Sequence, residues 1–147
     1  IESLMGFAAG KGQLRTRTGP RDEALRKARV CYNHLAGEAG IRIYTSMLKQ
    51  RMLNLGENGL SLSRKGQGFI EGLGIDLVEL TKGRGELCRE CLDWSERRSH
   101  LAGRLGRALF DKLKSDGLLR LERESRVVSF PGRGETSFRK LFPLPGD

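Results

Sequence analysis

The stretch His34-Leu-Ala-Gly-Glu-Ala-Gly40 decides the organisation of this chain, because it returns 66 residues later as His100-Leu-Ala-Gly-Arg-Leu-Gly106. Both copies follow the pattern HLAGxxG, and each has a cysteine shortly upstream, Cys31 or Cys91. A duplicated supersecondary unit is the simplest physical explanation, since one unit of this size rarely buries a hydrophobic core alone. The sequence therefore predicts two repeats that pack against each other.

Hydrophobic periodicity predicts the same order of elements around each copy. Each repeat has two helices, a hairpin and a closing helix, at 20–35, 41–52, 53–63 and 66–73 in the first repeat and at 87–94, 101–113, 118–130 and 137–142 in the second. This order is the outline of a winged helix-turn-helix. The predicted fold is thus α+β and mainly helical, with tandem winged-helix-like repeats over 20–80 and 81–142.

The remaining segments are predicted to connect or end these units. Residues 1–19 have the pattern of the last turns of a helix followed by a linker, and residues 143–147 form a tail. Residues 74–85 form a hinge region between the repeats. Its apolar residues are expected to pack against the core: Ile75, Leu77, Val78 and Leu80.

Composition limits the partners of the chain. Its 147 residues contain 27 lysines and arginines against 18 acidic residues, so the formal net charge is +9. This balance favours polyanions such as nucleic acid, although solvated charged faces explain it equally well. Three cysteines, an odd number, favour a reducing cytoplasm over a disulfide framework. No apolar run approaches the roughly 18 residues that cross a bilayer, so no membrane partner is expected.

Enzymatic catalysis has little support in the sequence. Neither histidine has a clear nucleophile partner, and no nucleotide-binding loop stands out. Asp93 and Glu96 near His100 could form an acid/base set, but helix-surface charges explain them equally well. We therefore expect no enzyme and no cofactor, apart from a possible zinc ion considered below.

Four blocks of residues carry a resemblance to a known family. They are Thr18-Gly-Pro-Arg-Asp22, Ala28-Arg-Val-Cys-Tyr-Asn-His-Leu-Ala-Gly37, Leu73-Gly-Ile-Asp76 and Cys91-Leu-Asp-Trp-Ser-Glu-Arg-Arg-Ser-His-Leu-Ala-Gly103. Through them the chain resembles the C-terminal half of ArsR-type winged-helix transcription regulators that carry an extra domain after their DNA-binding domain. Residues 1–8 are similar to the closing dimerisation helix of that upstream domain. Asn33 departs from the family pattern, which has an aspartate before the first HLAG.

The resemblance implies a bacterial transcription regulator that forms a homodimer, binds DNA through the full-length protein and responds to an unknown small-molecule or metal effector. This chain would then be its regulatory and oligomerisation part. A shift in the packing of repeats or subunits would change the spacing of the DNA-reading helices. The metal sites of the metal-sensing members are not implied, because their cysteine motifs belong to the upstream domain.

The cysteines and histidines are the candidate metal ligands. Cys88 and Cys91 form a CxxC pair to which His100 can be added, and thiolates with imidazoles at such spacings suit zinc. If the repeats pack face to face, Cys31 and His34 join this set as a metal- or thiol-sensing site. The alternative interpretation is structural, because one CxxC is a weak zinc signal and small core cysteines would occupy equivalent repeat positions.

The motif residues also suit purely structural roles. A histidine that bonds a backbone carbonyl and holds an interhelix turn explains the recurrence of His34 and His100 without a ligand. Gly37 and Gly103 suit a positive φ or a close approach between helices. The functional alternative is an effector pocket, with candidate lining residues Cys31, His34, Cys91, Trp94 and His100.

A run of basic residues in the second repeat is the candidate nucleic-acid surface: Arg97, Arg98, Arg104, Arg107, Lys112 and Lys114. Basic positions around a helix-turn-helix suit phosphate anchoring. The run is spread over several helix faces, however, and side chains suited to base reading are scarce. Three functional hypotheses follow: a regulatory domain, a metal- or thiol-sensing domain of the same protein, and a stand-alone basic nucleic-acid-binding module.

Overall fold

The HLAG motif of each repeat ends a strand and begins a helix in the computed structural model, which describes residues 22–93 and 96–147. The elements are, in chain order, α1 (Glu23–Lys27), β1 (Arg29–Cys31), β2 (His34–Ala36), α2 (Gly37–Lys49), β3 (Leu53–Gly56), β4 (Gly59–Leu62), α3 (Arg64–Gly72), α4 (Leu77–Thr81), β5 (Arg89–Asp93), β6 (Arg98–Ala102), α5 (Gly103–Ser115), β7 (Arg120–Leu121), β8 (Val128–Ser129) and α6 (Gly134–Leu141). These described residues form an α+β structure with six helices and four two-stranded antiparallel sheets.

The two repeats share one order of elements. In each, an antiparallel hairpin leads into a helix of 13 residues, and a second hairpin and a closing helix follow. The first repeat runs β1–β2, α2, β3–β4, α3, and the second runs β5–β6, α5, β7–β8, α6. The helix α4 lies between the repeats, in the predicted hinge region.

The predicted first helix of each repeat is wrong. Of the predicted range 20–35, the described residues 22–35 form the short α1, which ends where Ala28 becomes extended, and then the hairpin β1–β2. Of the predicted range 87–94, the described residues 87–93 contain strand β5 instead of a helix. Strand β2 is buried at all three positions, so it lacks the alternation of buried and exposed residues that marks a half-exposed strand. Periodicity alone does not distinguish such a short buried run from part of a buried helix. In both repeats a hairpin therefore comes directly before the long helix, where a helix was predicted, and in the first repeat α1 precedes this hairpin.

The other predicted elements are confirmed with small shifts. The helix expected over 41–52 is α2, the hairpin over 53–63 is β3–β4, and the helix over 66–73 is α3. In the second repeat the helix begins at Gly103, because Leu101 belongs to strand β6. Within the hinge Leu77 is buried as predicted, whereas Val78 is 63% exposed, contrary to the prediction.

The first glycine of each HLAGxxG motif has a backbone that other residues rarely adopt. Gly37 has φ +77° and Gly103 has φ +82°. A Cβ added to Gly37 would lie 2.8 Å from the carbonyl oxygen of Arg26, and one added to Gly103 would lie 2.8 Å from that of Leu87. The predicted positive φ is therefore confirmed at both positions, and each also lies closely packed against the preceding segment.

The second glycine of each motif lies where the two repeats approach each other. A Cβ on Gly106 would lie 2.6 Å from the carbonyl oxygen of Leu101 and 3.4 Å from the Cβ of His34. A Cβ on Gly40 would lie 3.3 Å from the Cβ of His100. Each repeat thus places its second motif glycine against the motif histidine of the other repeat.

Buried apolar side chains from both repeats form one continuous core. Helix α2 contributes Ile43 and Met47, and helix α5 contributes Leu105 and Leu109. Backbone hydrogen bonds also cross between the repeats, since the chain around β1 bonds to the segment that enters β8. Burial shared in this way explains why neither repeat needs a complete core of its own.

The structure describes the C-terminal end of the chain but not residues 1–21. Residues 143–147, predicted as a tail, turn back onto α2, where the Asp147 carboxylate contacts Arg42. The predicted dimerisation helix and linker, residues 1–19, lie outside the described residues. Within 22–93 and 96–147, no helix is both long and apolar enough to cross a lipid bilayer.

Candidate Cys/His site between the repeats

The first hairpin presents a cysteine and a histidine side by side. Cys31 ends β1 and His34 begins β2, and the two are cross-strand partners around a two-residue loop. Cross-strand partners project from the same face of a sheet with their side chains in reach of each other. His34 is buried and Cys31 is half-buried.

The second hairpin repeats this arrangement. Cys91 of β5 and His100 of β6 are cross-strand partners, and His100 is only 1% exposed. Cys91 is half-buried, like its counterpart Cys31. Equivalent positions of the two repeats therefore carry the same pair of side chains. In each pair the histidine is buried and the cysteine is more accessible.

The two hairpins meet with these four side chains facing one another. The Nε2 atoms of His34 and His100 are 3.0 Å apart, and the ring centroids are 4.9 Å apart. One ligand atom from each of the four side chains lies within 4.8 Å of all the others. The predicted hydrogen bond from each histidine to a backbone carbonyl is wrong, because the two rings contact each other across the interface.

A buried carboxylate lies behind this cluster. Asp93 is 1% exposed, and its Oδ1 accepts a hydrogen bond of 2.8 Å from Nη2 of Arg29. Its Oδ2 accepts from the backbone N–H of Gly37 at 2.8 Å and lies 3.5 Å from Nδ1 of His100. The prediction of a helix-surface charge is therefore wrong for Asp93, which links the second repeat to two groups of the first.

Burial sets the protonation states around the cluster. It lowers the pKa of His34 to about 4, with contributions from His100 and Arg89, so this ring is neutral at pH 7. Burial also raises the pKa of the Cys91 thiol, and the neighbouring Cys31 adds to the effect. A neutral imidazole offers a lone pair to a cation, while a thiol must lose its proton to do so.

The structure does not bring Cys88 into this group. It is buried in a different part of the core, and burial raises its pKa to about 11. Because Cys91 lies in strand β5 and Cys88 lies in the bend before this strand, the two cysteines do not share one face as a CxxC pair on a helix would. Trp94, predicted as a pocket residue, lies outside the described residues.

Two cavities in the described part of the chain are lined by other residues. One of 530 Å³ is mostly apolar and includes Leu60, Leu62, Leu77, Leu87 and Cys88. The other, of 320 Å³, has a charged lining that includes Lys27, Glu38, Arg42, Arg98 and Arg139. The Cys/His candidates for an effector pocket line neither cavity, because they pack against one another.

Most of the basic residues predicted to face nucleic acid make contacts within the chain. Arg104 is half-buried and its guanidinium donates to the carbonyl oxygen of Gly85 at 3.0 Å. Four others contact side chains of the same chain. Arg98 donates a hydrogen bond to Thr45, Arg107 and Lys112 form ion pairs with Asp111 and Asp116, and the Lys114 ammonium lies over the ring of Phe110. Arg97 is exposed at the turn before β6. Their contact with DNA stays a prediction.

Sequence reasoning missed the roles of Arg29 and Asp93. The signal was present, because Arg29 and Cys31 are two residues apart, as are Cys91 and Asp93. In a strand, residues i and i+2 lie on the same face. Recognising the two hairpins would therefore have placed the charged pair beside the cysteines.

One match is to a regulator of Bacillus subtilis. The protein of strain 168 named "Uncharacterized HTH-type transcriptional regulator YdfF" is 32% identical over 141 residues, which cover 95% of this chain and 62% of YdfF. The chain thus spans less than two thirds of the length of YdfF. No protein-family model and no solved structure matches the chain.

Proposed function

We propose that this chain is the regulatory part of a DNA-binding transcription regulator of the helix-turn-helix type. The observation that carries the proposal is the similarity over 95% of the chain to YdfF, whose name is that of an HTH-type transcriptional regulator. The chain would be non-catalytic, would act in the bacterial cytoplasm as part of a homodimer, and would reach DNA through the full-length protein.

The repeat interface is the proposed control element. Reciprocal glycine–histidine contacts and the Arg29–Asp93 ion pair join the repeats, so a small relative shift would break several contacts together. Packed interfaces of this kind have discrete arrangements, and an effector shifts their populations only by binding one arrangement more tightly. In a dimer, such a shift would change the spacing of the DNA-reading helices.

The test is genome-wide DNA occupancy of the native full-length protein, tagged at its own locus. We expect discrete sites near promoters, and changed transcription of the adjacent genes when the gene is deleted. An interface variant, Gly106→Ala, should change occupancy several-fold, whereas Gly68→Ala in α3, where an added Cβ meets nothing within 4 Å, should not. Occupancy no different from that of an untagged strain would refute the proposal.

A second candidate is a stand-alone nucleic-acid-binding module, favoured by the net charge of +9. The internal contacts of Arg104, Lys112 and Lys114 weaken it, because side chains engaged in the fold are less available to phosphates. A salt-titrated binding assay on the chain separates the candidates, since phosphate contacts give a steep salt dependence. Binding no tighter than that of a charge-matched unrelated protein removes this candidate.

A further inference from the structure

We propose that the two hairpins form one four-coordinate binding site for a transition-metal ion of the zinc class, with the ligands Cys31, His34, Cys91 and His100. Two ligands come from each repeat, so the ion would join the repeats directly. The site itself does not depend on DNA binding. Only its consequence for regulation depends on the function proposed above.

The donor set and its dimensions suit tetrahedral zinc. Bond lengths of about 2.0–2.1 Å to nitrogen and about 2.3 Å to sulfur imply ligand–ligand distances of about 3.3–3.8 Å. The two Nε2 atoms are already 3.0 Å apart, and all four ligand atoms lie within 4.8 Å of one another. The observed spacing is therefore close to that of a tetrahedral site, and the ligand atoms that are furthest apart would approach one another when the ion binds.

The far nitrogen of each ring faces an oxygen acceptor. Nδ1 of His34 lies 3.4 Å from Oδ1 of Asn33, and Nδ1 of His100 lies 3.5 Å from Oδ2 of Asp93. Without a metal, the 3.0 Å contact between the two Nε2 atoms is a hydrogen bond that one ring donates and the other accepts. In the metal site both Nε2 atoms would instead bind the cation and both Nδ1 atoms would carry the proton, so that each N–H faces one of these oxygens. A carboxylate behind a ligating histidine is the usual support in metal sites.

Charge balance also favours a divalent ion. Two thiolates neutralise one divalent cation, so the bound site would place no net charge among the buried histidines. The half-buried cysteines leave a path for the ion from solvent, whereas the histidines are buried on the inner side. Binding would release the two thiol protons, since the ligand form of cysteine is the thiolate.

A disulfide between Cys31 and Cys91 is the competing interpretation, because the two sulfurs are neighbours. It would use only half of the cluster, however. It gives no reason for two buried histidines with converging Nε2 atoms, nor for the acceptor behind each ring. The metal site accounts for all of these groups, and we therefore favour it over a thiol switch.

The experiment uses the reduced full-length protein after removal of metal, titrated with Zn²⁺ in competition with a chromophoric chelator. We expect one tightly bound ion per chain, and Co²⁺ should give thiolate charge-transfer bands and the intense d–d bands of a tetrahedral site. Cys91→Ala and His100→Gln should each weaken zinc binding at least ~100-fold, and Asp93→Asn about 10-fold through its effect on His100. Cys88→Ala is the matched control and should bind as the wild type does.

Three outcomes would overturn the proposal. The first is a folded, reduced wild type that binds no stoichiometric zinc. The second is zinc binding that Cys91→Ala and His100→Gln leave unchanged while circular dichroism shows both variants folded. The third is loss of binding in Cys88→Ala alone. DNA occupancy is measured separately, so a failed metal site leaves the proposed regulatory function standing, and the reverse also holds.

Discussion

The glycines of the HLAGxxG motif show how single residues decide the interface. At Gly37 and Gly103 the backbone has a positive φ, and at Gly40 and Gly106 the helix packs against a strand carbonyl and the other repeat. The two glycines of each copy are therefore needed for different reasons. One is needed for its backbone freedom and the other for its missing side chain.

Gly106→Ala should destabilise the protein by about 1–3 kcal/mol, because its Cβ would lie 2.6 Å from the backbone oxygen of Leu101 in β6 and overpack the contact between α5 and this strand, beside the His34 side chain of the other repeat. The free energy of unfolding in urea measures this. Gly68→Ala is the control, since its Cβ meets no atom within 4 Å in α3, and it should stabilise by about 0.5–1 kcal/mol. Equal stability of Gly106→Ala and wild type would show that the packing of α5 on β6 can relax around the methyl group.

At the scale of elements, the strand register of the hairpins β1–β2 and β5–β6 places the four side chains of the Cys/His site. Cys31 pairs with His34, and Cys91 pairs with His100, so each hairpin delivers one sulfur and one nitrogen to the same face. The first hairpin closes with Tyr32 at a φ of +62°. Turns that close two-residue hairpins need a positive φ at this loop position, where glycine is favoured over tyrosine.

Tyr32→Gly should therefore stabilise the protein, by about 0.5–1 kcal/mol, as relief of the left-handed backbone exceeds the greater flexibility of glycine in the unfolded chain. Little packing would be lost, because Tyr32 is 94% exposed. Chemical denaturation measures the change. Tyr32→Ala keeps the backbone strain and should not stabilise, so a gain of equal size in both variants would argue against strain at this turn.

At the scale of the whole molecule, the two repeats are held as one body by burial that crosses between them. The core contains side chains of both repeats, and the buried Arg29–Asp93 ion pair connects β1 to β5 at 2.8 Å. Removing one partner of a buried pair is costly, because the charge that remains has lost the group that offset its desolvation.

Arg29→Met should destabilise the protein by about 3–5 kcal/mol. In a double-mutant cycle with Asp93→Asn, the unfolding free energies should give a coupling of at least ~1 kcal/mol between the two residues. The exposed pair Lys82–Glu79, whose side chains are 66% and 68% exposed, is the comparison and should give no more than ~0.5 kcal/mol. Coupling as weak as that of the exposed pair would mean that Arg29 and Asp93 act independently.

Sequence reasoning recovered the elements whose pattern is local. The amphipathic helices α2 and α5 have a clear helical period, and the β3–β4 hairpin alternates around a glycine-containing turn. The hairpin β1–β2 was not predicted because β2 is buried at every position, and a segment of three residues has no period to read. The hairpin β5–β6 was not predicted because neither of its strands alternates regularly between buried and exposed residues.

The sequence by itself determined the duplication, the glycine positions, and the cysteine and histidine of each copy. Only the tertiary structure decided that the two pairs meet, that Asp93 lies behind one of them, and that Cys88 lies elsewhere. The physical reason is the distance along the sequence between the residues that come into contact. Local patterns record which face of an element is buried, but contact between side chains 66 residues apart depends on how two hairpins pack, which no local pattern encodes.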